Sequence, residues 1–256
     1  MKKRADLLLF EKKIAETRTK AQAMIMAGQI FVNGKKVIKS GELYKTDVNI
    51  VCKSLHPQWV SRGALKLLHA LNYFEIDVTD FICLDIGSST GGFTEVLLSK
   101  KIKKIYSVDV GTNQLHEKLV NNSQVINLPK TNARYLTKKI IPDKIDIIVC
   151  DVSFISIKKI IVPSLSFLSN DSGVLIALIK PQFESEKKEI KKGGIITDSK
   201  IHERICKNYE EWLIKKCKMK VLGITSSPIK GAKGNIEFLI CAKKIINSVD
   251  NDPQEY

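Results

Sequence analysis

One stretch, residues 81–95 with the sequence FICLDIGSSTGGFTE, constrains the fold of this chain more than any other. An apolar run reaches an acid at Asp85 and breaks at Gly87, and a glycine pair, Gly91 and Gly92, then leads into a helix-like segment. A buried strand that feeds a glycine-rich turn and a helix is how α/β proteins build a ligand crevice at the carboxyl end of a sheet. Because glycines allow close backbone approach and a helix N-terminus offers free N–H groups, the turn predicts a ligand site.

The spacing of the turn, GSSTGG, differs from the GxGxxG fingerprint of dinucleotide-binding proteins. Taken alone, the turn fits several nucleotide-like ligands, and it also fits an ordinary strand-turn-helix without a ligand. The candidate cofactor-binding residues of this stretch are Asp85, Gly87, Ser88, Ser89, Gly91, Gly92 and Phe93.

The composition, 256 residues with 44% hydrophobic and 27% charged, allows one large domain or a medium domain with a small appendage. No apolar run approaches the roughly 20 residues that cross a bilayer, and the apolar part of the N-terminus is too short for a signal peptide. The six cysteines are scattered without a CxxC pair, which indicates a reducing cytosol and argues against a zinc site. We therefore expect a cytoplasmic protein without stable membrane insertion; no metal is required, and the oligomeric state is not predicted.

The charge of the chain is strongly positive, with a formal net charge of +15 and a pI near 9.5. The first 66 residues contain 14 basic and five acidic residues, a net charge of +9 on about a quarter of the chain. Such a concentration indicates a polyanionic partner, either nucleic acid or an anionic membrane.

Residues 1–54 have the pattern of a separate small domain. Helical periodicity over residues 4–14 and 20–27 is followed by two β-rich runs around Asn33-Gly34, which is a strong hairpin signal, and by a strand at 48–52. The stretch TRTKAQAMIMAGQIFVNGKKV resembles the S4 RNA-binding fold, which implies recognition of structured RNA through shape and phosphates. A solvated basic face without a ligand is the alternative. The candidate RNA-binding residues are Arg4, Arg18, Lys20, Gln22, Lys35, Lys36 and Arg62.

A linker at residues 55–61 is predicted to lead into a second domain, residues 62–247, with a flexible tail at 248–256. Strand and helix patterns alternate in this domain, and the final connection, residues 226–235, is rich in Gly and Lys rather than helical. Five strands that alternate with helices and a closing hairpin indicate a seven-stranded, Rossmann-like α/β sheet of the class I methyltransferase type, with an antiparallel last strand. The predicted strands cover residues 81–86, 105–110, 124–128, 145–150, 173–179, 220–225 and 236–241, and the predicted helices cover 62–71, 92–100, 132–139, 156–168 and 200–216.

Two residues after neighbouring strands can contact a nucleoside. Asp109 follows the second strand of the sheet, where an acid can accept both hydroxyls of a ribose, in nicotinamide and S-adenosylmethionine proteins alike. Asn132 follows the third strand, where it can bond a base edge or simply cap a helix.

Four charged residues lie at the predicted working edge of the sheet or near it. Asp151 and Lys180 end the fourth and fifth strands, and Glu237 lies inside an apolar strand, where a buried acid needs a partner. Lys66 falls off the apolar stripe of the helix predicted at 62–71. Taken one at a time, each residue also fits a structural ion pair.

Together, Lys66, Asp151, Lys180 and Glu237 resemble the tetrad of the FtsJ-type RNA ribose 2′-O-methyltransferases. The whole chain resembles the TlyA (haemolysin A) family, on stretches that cover nearly its full length in order. The sequence departs from the family pattern at Ala64-Leu65 and at Ala232-Lys233, neither of which removes a tetrad residue. The matching stretches are VSRGALKL, LDIGSSTGGFTE, VDVGTNQL, TNAR, CDVSFIS, LIKPQFE and GNIEF.

The resemblance implies S-adenosyl-L-methionine as cofactor and methylation of a ribose 2′-hydroxyl in ribosomal RNA, 16S, 23S or both, either free or within a ribosomal subunit. It implies that Lys180 orients or deprotonates the hydroxyl, that Asp151 lies near both lysine and cofactor, and that Glu237 holds a lysine or the ribose. Two alternatives stay open at this point. One is an RNA-binding ribosome assembly factor with a vestigial cofactor site, and the other is a membrane-active haemolysin.

Overall fold

The computed structural model describes residues 2–26, 28–52, 59–170, 172–191 and 193–245. The chain divides into two compact units, residues 1–58 and 59–256. The predicted domain boundaries stay predictions, because most of the linker at 55–61 and all of the tail at 248–256 lie outside the described residues. Among the helices that are described, none combines the length and apolar character needed to cross a bilayer.

The first unit is a small α+β module whose two helices and short antiparallel strands enclose a core of their own. Ala21, Ile25 and Ile30 are among its fully buried residues. The Asn33-Gly34 turn has φ angles of 48° and 79°, which gives the tight hairpin that the sequence predicts. The described elements are β1 Lys2–Arg4, α1 Ala5–Glu11, α2 Arg18–Met26, β2 Ile30–Val32, β3 Lys35–Lys36, β4 Leu43–Lys45 and β5 Ile50–Cys52.

Pairing in the first unit joins β2 to β3 and β5, and joins β1 to β4. The strands β1 and β4 were not predicted, because three-residue strands carry too little periodicity to be recognised. The second helix begins at Arg18, two residues before its predicted start, and the Thr17 hydroxyl caps it by accepting a hydrogen bond from Lys20 N at 3.1 Å.

The second unit is built on a mixed sheet in the order β11-β12-β10-β9-β6-β7-β8 within the described residues. The strand β12 runs antiparallel to both β10 and β11, and the remaining neighbours are parallel, which confirms the predicted sheet with its closing hairpin. The strands are β6 Ile82–Ile86, β7 Lys104–Val108, β8 Val125–Leu128, β9 Ile147–Cys150, β10 Val174–Ile179, β11 Met219–Ser226 and β12 Phe238–Lys244.

Helices cover both faces of this sheet, so that all six residues of β10 are buried. Alternate residues of β10 belong to two separate cores, one shared with α3 and α4 and the other with α6 and α8. The helices are α3 Ala64–Tyr73, α4 Gly92–Ser99, α5 Glu117–Val120, α6 Lys158–Ser164, α7 Pro181–Glu184 and α8 Ser199–Lys215, with 3-10 turns at Ala133–Tyr135, Leu165–Phe167, Lys187–Glu189 and Ala232–Gly234.

One predicted helix, residues 132–139, is wrong: the chain forms only the 3-10 turn Ala133–Tyr135 and continues extended at Leu136. A segment so close to Pro142 is too short to offset the cost of helix nucleation. A second predicted helix, 156–168, is split into α6 and a 3-10 turn after Pro163, which lacks the N–H that would continue the ladder.

Candidate functional site

The glycine turn that follows β6 forms the floor of a crevice at the carboxyl edge of the sheet. Gly87 has φ of +81°, and a Cβ at this position would lie 2.6 Å from the carbonyl oxygen of Asp151. Any side chain would therefore collide with the neighbouring strand end, and glycine keeps the turn flat against it. The crevice lies between β6 and β9, where the sheet order changes direction, as expected for a ligand site in such sheets.

The rest of the turn packs in two directions. Gly91, with φ of +98°, faces Leu115 and Leu119, so its missing side chain serves packing rather than the crevice. Gly92 begins α4 and leaves room for the backbone of Ala64, whose nitrogen would lie 2.9 Å from a Cβ. Ser88, Ser89 and Phe93 line the crevice with Gly87 and Gly92.

Asp109 closes the turn on the far side. Its Oδ2 accepts a hydrogen bond from Ser89 N at 2.8 Å, and its Oδ1 accepts one from Gly111 N at 2.7 Å. Each carboxylate oxygen has a second lone pair, so the group can still accept hydroxyl donors. Asn132 caps the turn at Ala133–Tyr135 through Arg134 N, 3.1 Å from Asn132 Oδ1.

Asp109 and Asn132 both line a cavity of about 510 Å³, whose lining also includes Ser89 of the glycine turn and Val152, which follows β9. The cavity adjoins a second one of about 480 Å³, and both are lined by Gly87, Ser89 and Asp151. Both volumes fall in the range of small-molecule pockets. The crevice is therefore large enough for a nucleoside-sized ligand on one side and a second group on the other.

Asp85 lies beneath this crevice and lines neither cavity. It has no exposed surface, and Oδ2 accepts a hydrogen bond from the Thr94 hydroxyl at 2.7 Å. Burial raises the pKa of the Asp85 carboxyl to about 7, with added repulsion from Asp151 and Asp109, while the bond from Thr94 opposes the rise. Asp85 was predicted to contact the cofactor, but it lies under the glycine turn and not at the surface of the crevice.

The four predicted tetrad residues meet at the sheet edge and alternate in charge. Lys66 Nζ lies 2.7 Å from Glu237 Oε2 and 3.4 Å from Asp151 Oδ2. Lys180 Nζ lies 2.6 Å from Asp151 Oδ1, an ion pair without hydrogen-bond geometry, and it donates a hydrogen bond to Ser153 Oγ at 2.8 Å. Two cations and two anions balance in this cluster, and the lysine side chains are about nine-tenths buried.

The sheet topology explains why these residues meet. Asp151 and Lys180 directly follow the parallel neighbours β9 and β10, so both reach the same edge. Glu237 precedes β12, which runs the opposite way and therefore starts at this edge beside Ile179. A Cβ on Gly231 would lie 2.0 Å from Glu237 Oε1, so the absence of a side chain there admits the carboxylate.

Aromatic residues form one wall of the smaller cavity. Phe154 is 89% exposed, and its ring centroid lies 5.2 Å from that of Phe183. Its φ of +67° is strained for a non-glycine residue. Sequence reasoning did not single out Phe154, Phe183 or Ser153, although CDVSFIS and KPQFE belong to the stretches on which the resemblance was based.

Three of the predicted RNA-binding residues of the first unit, Arg4, Arg18 and Gln22, bind the same carboxylate. Arg4 binds the buried Asp6 with Nε and Nη2, both at 3.0 Å, and Arg18 and Gln22 bind Asp6 Oδ2 at 3.2 and 2.9 Å. The Arg4 hydrogen bonds hold the pKa of Asp6 well below its usual range. The two arginine side chains are about half exposed, which leaves part of each guanidinium on the surface.

The other RNA-binding candidates are surface residues. Lys20 pairs with Glu16, four positions earlier and before the start of α2, at 2.8 Å, and Lys35 and Lys36 are exposed on β3. Arg62 belongs to the second unit, where it is exposed and lines the smaller cavity.

Comparison with known families matches both units of the chain. The family model described as FtsJ-like methyltransferase matches residues 59–244, and the model described as S4 domain matches residues 3–48.

Curated relatives span nearly the whole chain. A protein named Hemolysin A from Brachyspira hyodysenteriae is 45% identical over 92% of this chain and 98% of its own length. The 16S/23S rRNA (cytidine-2'-O)-methyltransferase TlyA of Mycobacterium tuberculosis is 35% identical over 93% of this chain and 88% of its own. A solved structure of a hemolysin-like protein from Streptococcus thermophilus is similar with a TM-score of 0.74 and 38% identity, covering 95% of this chain and 88% of that one.

Proposed function

Because the chain belongs to the family of FtsJ-like methyltransferases, we propose that it methylates a ribose 2′-hydroxyl of ribosomal RNA. The cofactor of this family is S-adenosylmethionine. One observation carries the proposal: the alternating cluster of Lys66, Asp151, Lys180 and Glu237 lies in a cavity that shares residues with the cavity over the glycine turn.

The residues around the turn fit this cofactor. The flat turn at Gly87 and the cavity of about 510 Å³ leave room for a nucleoside, and the Asp109 carboxylate retains lone pairs for ribose hydroxyls. Asn132 lines the same cavity, where its amide is available to a base edge. When bound, S-adenosylmethionine supplies a methyl group on a positively charged sulfur, which takes up the electron pair of the broken carbon–sulfur bond.

The charged cluster fits the chemistry of the acceptor. A ribose hydroxyl is a weak nucleophile, and its proton passes to solvent water as its oxygen attacks the methyl carbon. We assign Lys180 Nζ to this hydroxyl, where it orients the oxygen and stabilises the negative charge that develops on it. Asp151 holds Lys180 through the contact at 2.6 Å, and Glu237 holds Lys66 through the contact at 2.7 Å.

The RNA is bound, in this proposal, through both units. The first unit matches the S4 domain model and carries the exposed parts of Arg4 and Arg18 together with Lys20, Lys35 and Lys36. In the second unit, we assign Arg62 to a phosphate contact because it is exposed and lines the smaller cavity, and we assign the exposed ring of Phe154 to stacking on a base taken out of its helix. The relative from Mycobacterium tuberculosis, named for 16S and 23S rRNA, supports ribosomal RNA as the substrate class.

Transfer of labelled methyl groups to purified ribosomal RNA and to ribosomal subunits, followed by mapping of 2′-O-methylated nucleotides, tests the proposal. We expect transfer by the wild-type chain and a loss of at least about 1,000-fold in Lys180→Ala. Calorimetric titration with S-adenosylmethionine checks that the variant still binds the cofactor. RNA binding without cofactor binding by the wild-type chain would favour an assembly factor, and full activity of Lys180→Ala would overturn the assigned role.

A further inference from the structure

The register between β9 and β10 brings one more side chain to Lys180. In these parallel strands Ile147 pairs with Val174 and Cys150 with Ala177, so partners differ by 27 positions. Ser153 and Lys180, just beyond the two strand ends, keep the same offset. The offset that the register sets along the paired strands therefore also relates the two residues that the Lys180–Ser153 contact joins.

The contacts of Lys180 leave one direction open. Its Nζ lies 2.6 Å from Asp151 Oδ1 and donates a hydrogen bond to Ser153 Oγ at 2.8 Å. Only the Ser153 contact has hydrogen-bond geometry, so it takes one of the three N–H directions, while Asp151 lies beside the nitrogen as an ion pair. A further N–H direction is available to a group in the cavity that Lys180, Ser153 and Phe154 line.

The residue that follows Ser153 has an unusual backbone conformation. Phe154 adopts φ of +67°, in the left-handed region that a bulky residue occupies only where the surroundings impose it. Further along the same loop, Ile157 N donates a hydrogen bond to Glu184 Oε1 at 3.3 Å, which ties the loop to α7.

We infer that Ser153 is a positioning residue for methyl transfer: its hydroxyl accepts a hydrogen bond from Lys180 and thereby aims the lysine nitrogen at the ribose hydroxyl. Ser153 is itself exposed and lines both cavities, so its own proton is free to be donated to an oxygen of the RNA or of the cofactor. The inference rests on the proposed function, because it assigns Ser153 a part in the same reaction.

The test compares Ser153→Ala, Ser153→Thr and Ser156→Ala in the full chain. Ser153→Ala removes the acceptor of Lys180, whereas Ser153→Thr keeps a hydroxyl. Ser156→Ala removes a hydroxyl from the same loop that does not contact Lys180, and it is the matched control. The rate of a single turnover on saturating ribosomal RNA is measured together with KM for the RNA and with the affinity for S-adenosylmethionine.

We expect Ser153→Ala to lower the single-turnover rate about 10- to 100-fold, as loss of one hydrogen bond to a charged group does, with KM and cofactor affinity changed less than about 2-fold. Ser153→Thr should restore most of the rate, and Ser156→Ala should leave it unchanged. NMR of isotope-labelled lysine side chains adds a readout independent of turnover: the ammonium signal that Lys180→Arg removes should exchange faster with water in Ser153→Ala.

Equal rates in Ser153→Ala and wild type, or a Ser153→Thr variant as slow as Ser153→Ala, would overturn the inference. If the wild-type chain transfers no methyl group to any ribosomal RNA, the proposed function fails instead, and the two failures are distinguished in one assay.

Discussion

Each unit of the chain holds one aspartate between two cations, and the two arrangements differ in what they leave free. Asp6 in the first unit accepts hydrogen bonds from two arginines, from Gln22 and from a backbone N–H, so its oxygens are fully engaged. Asp151 in the second unit lies between two lysines, and its side chain keeps 20% of its surface exposed. A saturated cluster is suited to present charge to a ligand, whereas an open one can exchange partners during a reaction.

The two clusters also differ in the type of cation that surrounds the aspartate, which is arginine around Asp6 and lysine around Asp151. The guanidinium groups beside Asp6 are planar forks, whose donors match carboxylate and phosphate geometry. The ammonium groups beside Asp151 are compact, nearly buried and free to rotate their donors. This contrast is consistent with the proposed roles of the two clusters, which are RNA contact by the first and methyl transfer by the second.

Lys180→Arg should produce the largest effect of the three substitutions, because it replaces an ammonium group beside Asp151 by a guanidinium group like those beside Asp6. The planar fork cannot satisfy Asp151 Oδ1 and Ser153 Oγ while facing the ribose, so we expect methyl transfer to fall about 1,000-fold, or about 4 kcal/mol in the activation free energy. Initial rates on ribosomal RNA measure the loss. An active Lys180→Arg variant would show that only the positive charge matters, and the contrast between the clusters would be broken.

Asp85→Asn tests what happens to a buried aspartate that has no cation. Its folded-state pKa of about 7 exceeds the usual value near 3.9. Ionisation of the carboxyl therefore destabilises the folded state relative to the unfolded state. The wild type should therefore lose up to about 4 kcal/mol of stability relative to Asp85→Asn as pH rises from about 4 through 7. Urea unfolding of both proteins between pH 4 and 8 measures this difference, and a difference that does not vary with pH would contradict it.

Asp6→Asn should change the stability less than Asp85→Asn does, and with the opposite dependence on pH. The folded-state pKa of Asp6 is depressed, so its stabilising contribution is present above about pH 4 and is lost as the pH falls further. Solvent screens the half-exposed arginines, and we expect a cost of about 1–2 kcal/mol at pH 7. Hydrogen exchange should locate this cost in residues 2–52; unchanged protection there at neutral pH would mean that the cluster does not stabilise the unit.

The sequence was sufficient for the type of sheet and its closing hairpin, because long apolar strands and a glycine turn carry strong signals, and the family resemblance indicated the four charged residues that the structure brings together. It was not sufficient for β1, β4 or the turn at Ala133–Tyr135, where elements of three residues depend on tertiary contacts. It also could not show that Arg4, Arg18 and Gln22 converge on Asp6, or that Asp85 faces away from the crevice. Those facts depend on which side of a short element faces the core.

Ser153 shows the same limit within the site. Two positions after Asp151, it has no chemical signature of its own, and only the 27-residue offset between β9 and β10 reveals its partner. A strand register is a property of the assembled sheet, so it became visible only with the structure.

The position of β12, late in the chain but inside the sheet, means that the charged cluster is completed late in synthesis. The ion pair between Lys66 and Glu237 joins positions 171 residues apart, and β12 separates β10 from β11 in the sheet. Translation proceeds from the N-terminus, so the first unit can fold while most of the second is still unmade. A nascent chain shorter than the closing hairpin could therefore contain a finished first unit but would lack Glu237, the last residue of the cluster proposed for methyl transfer.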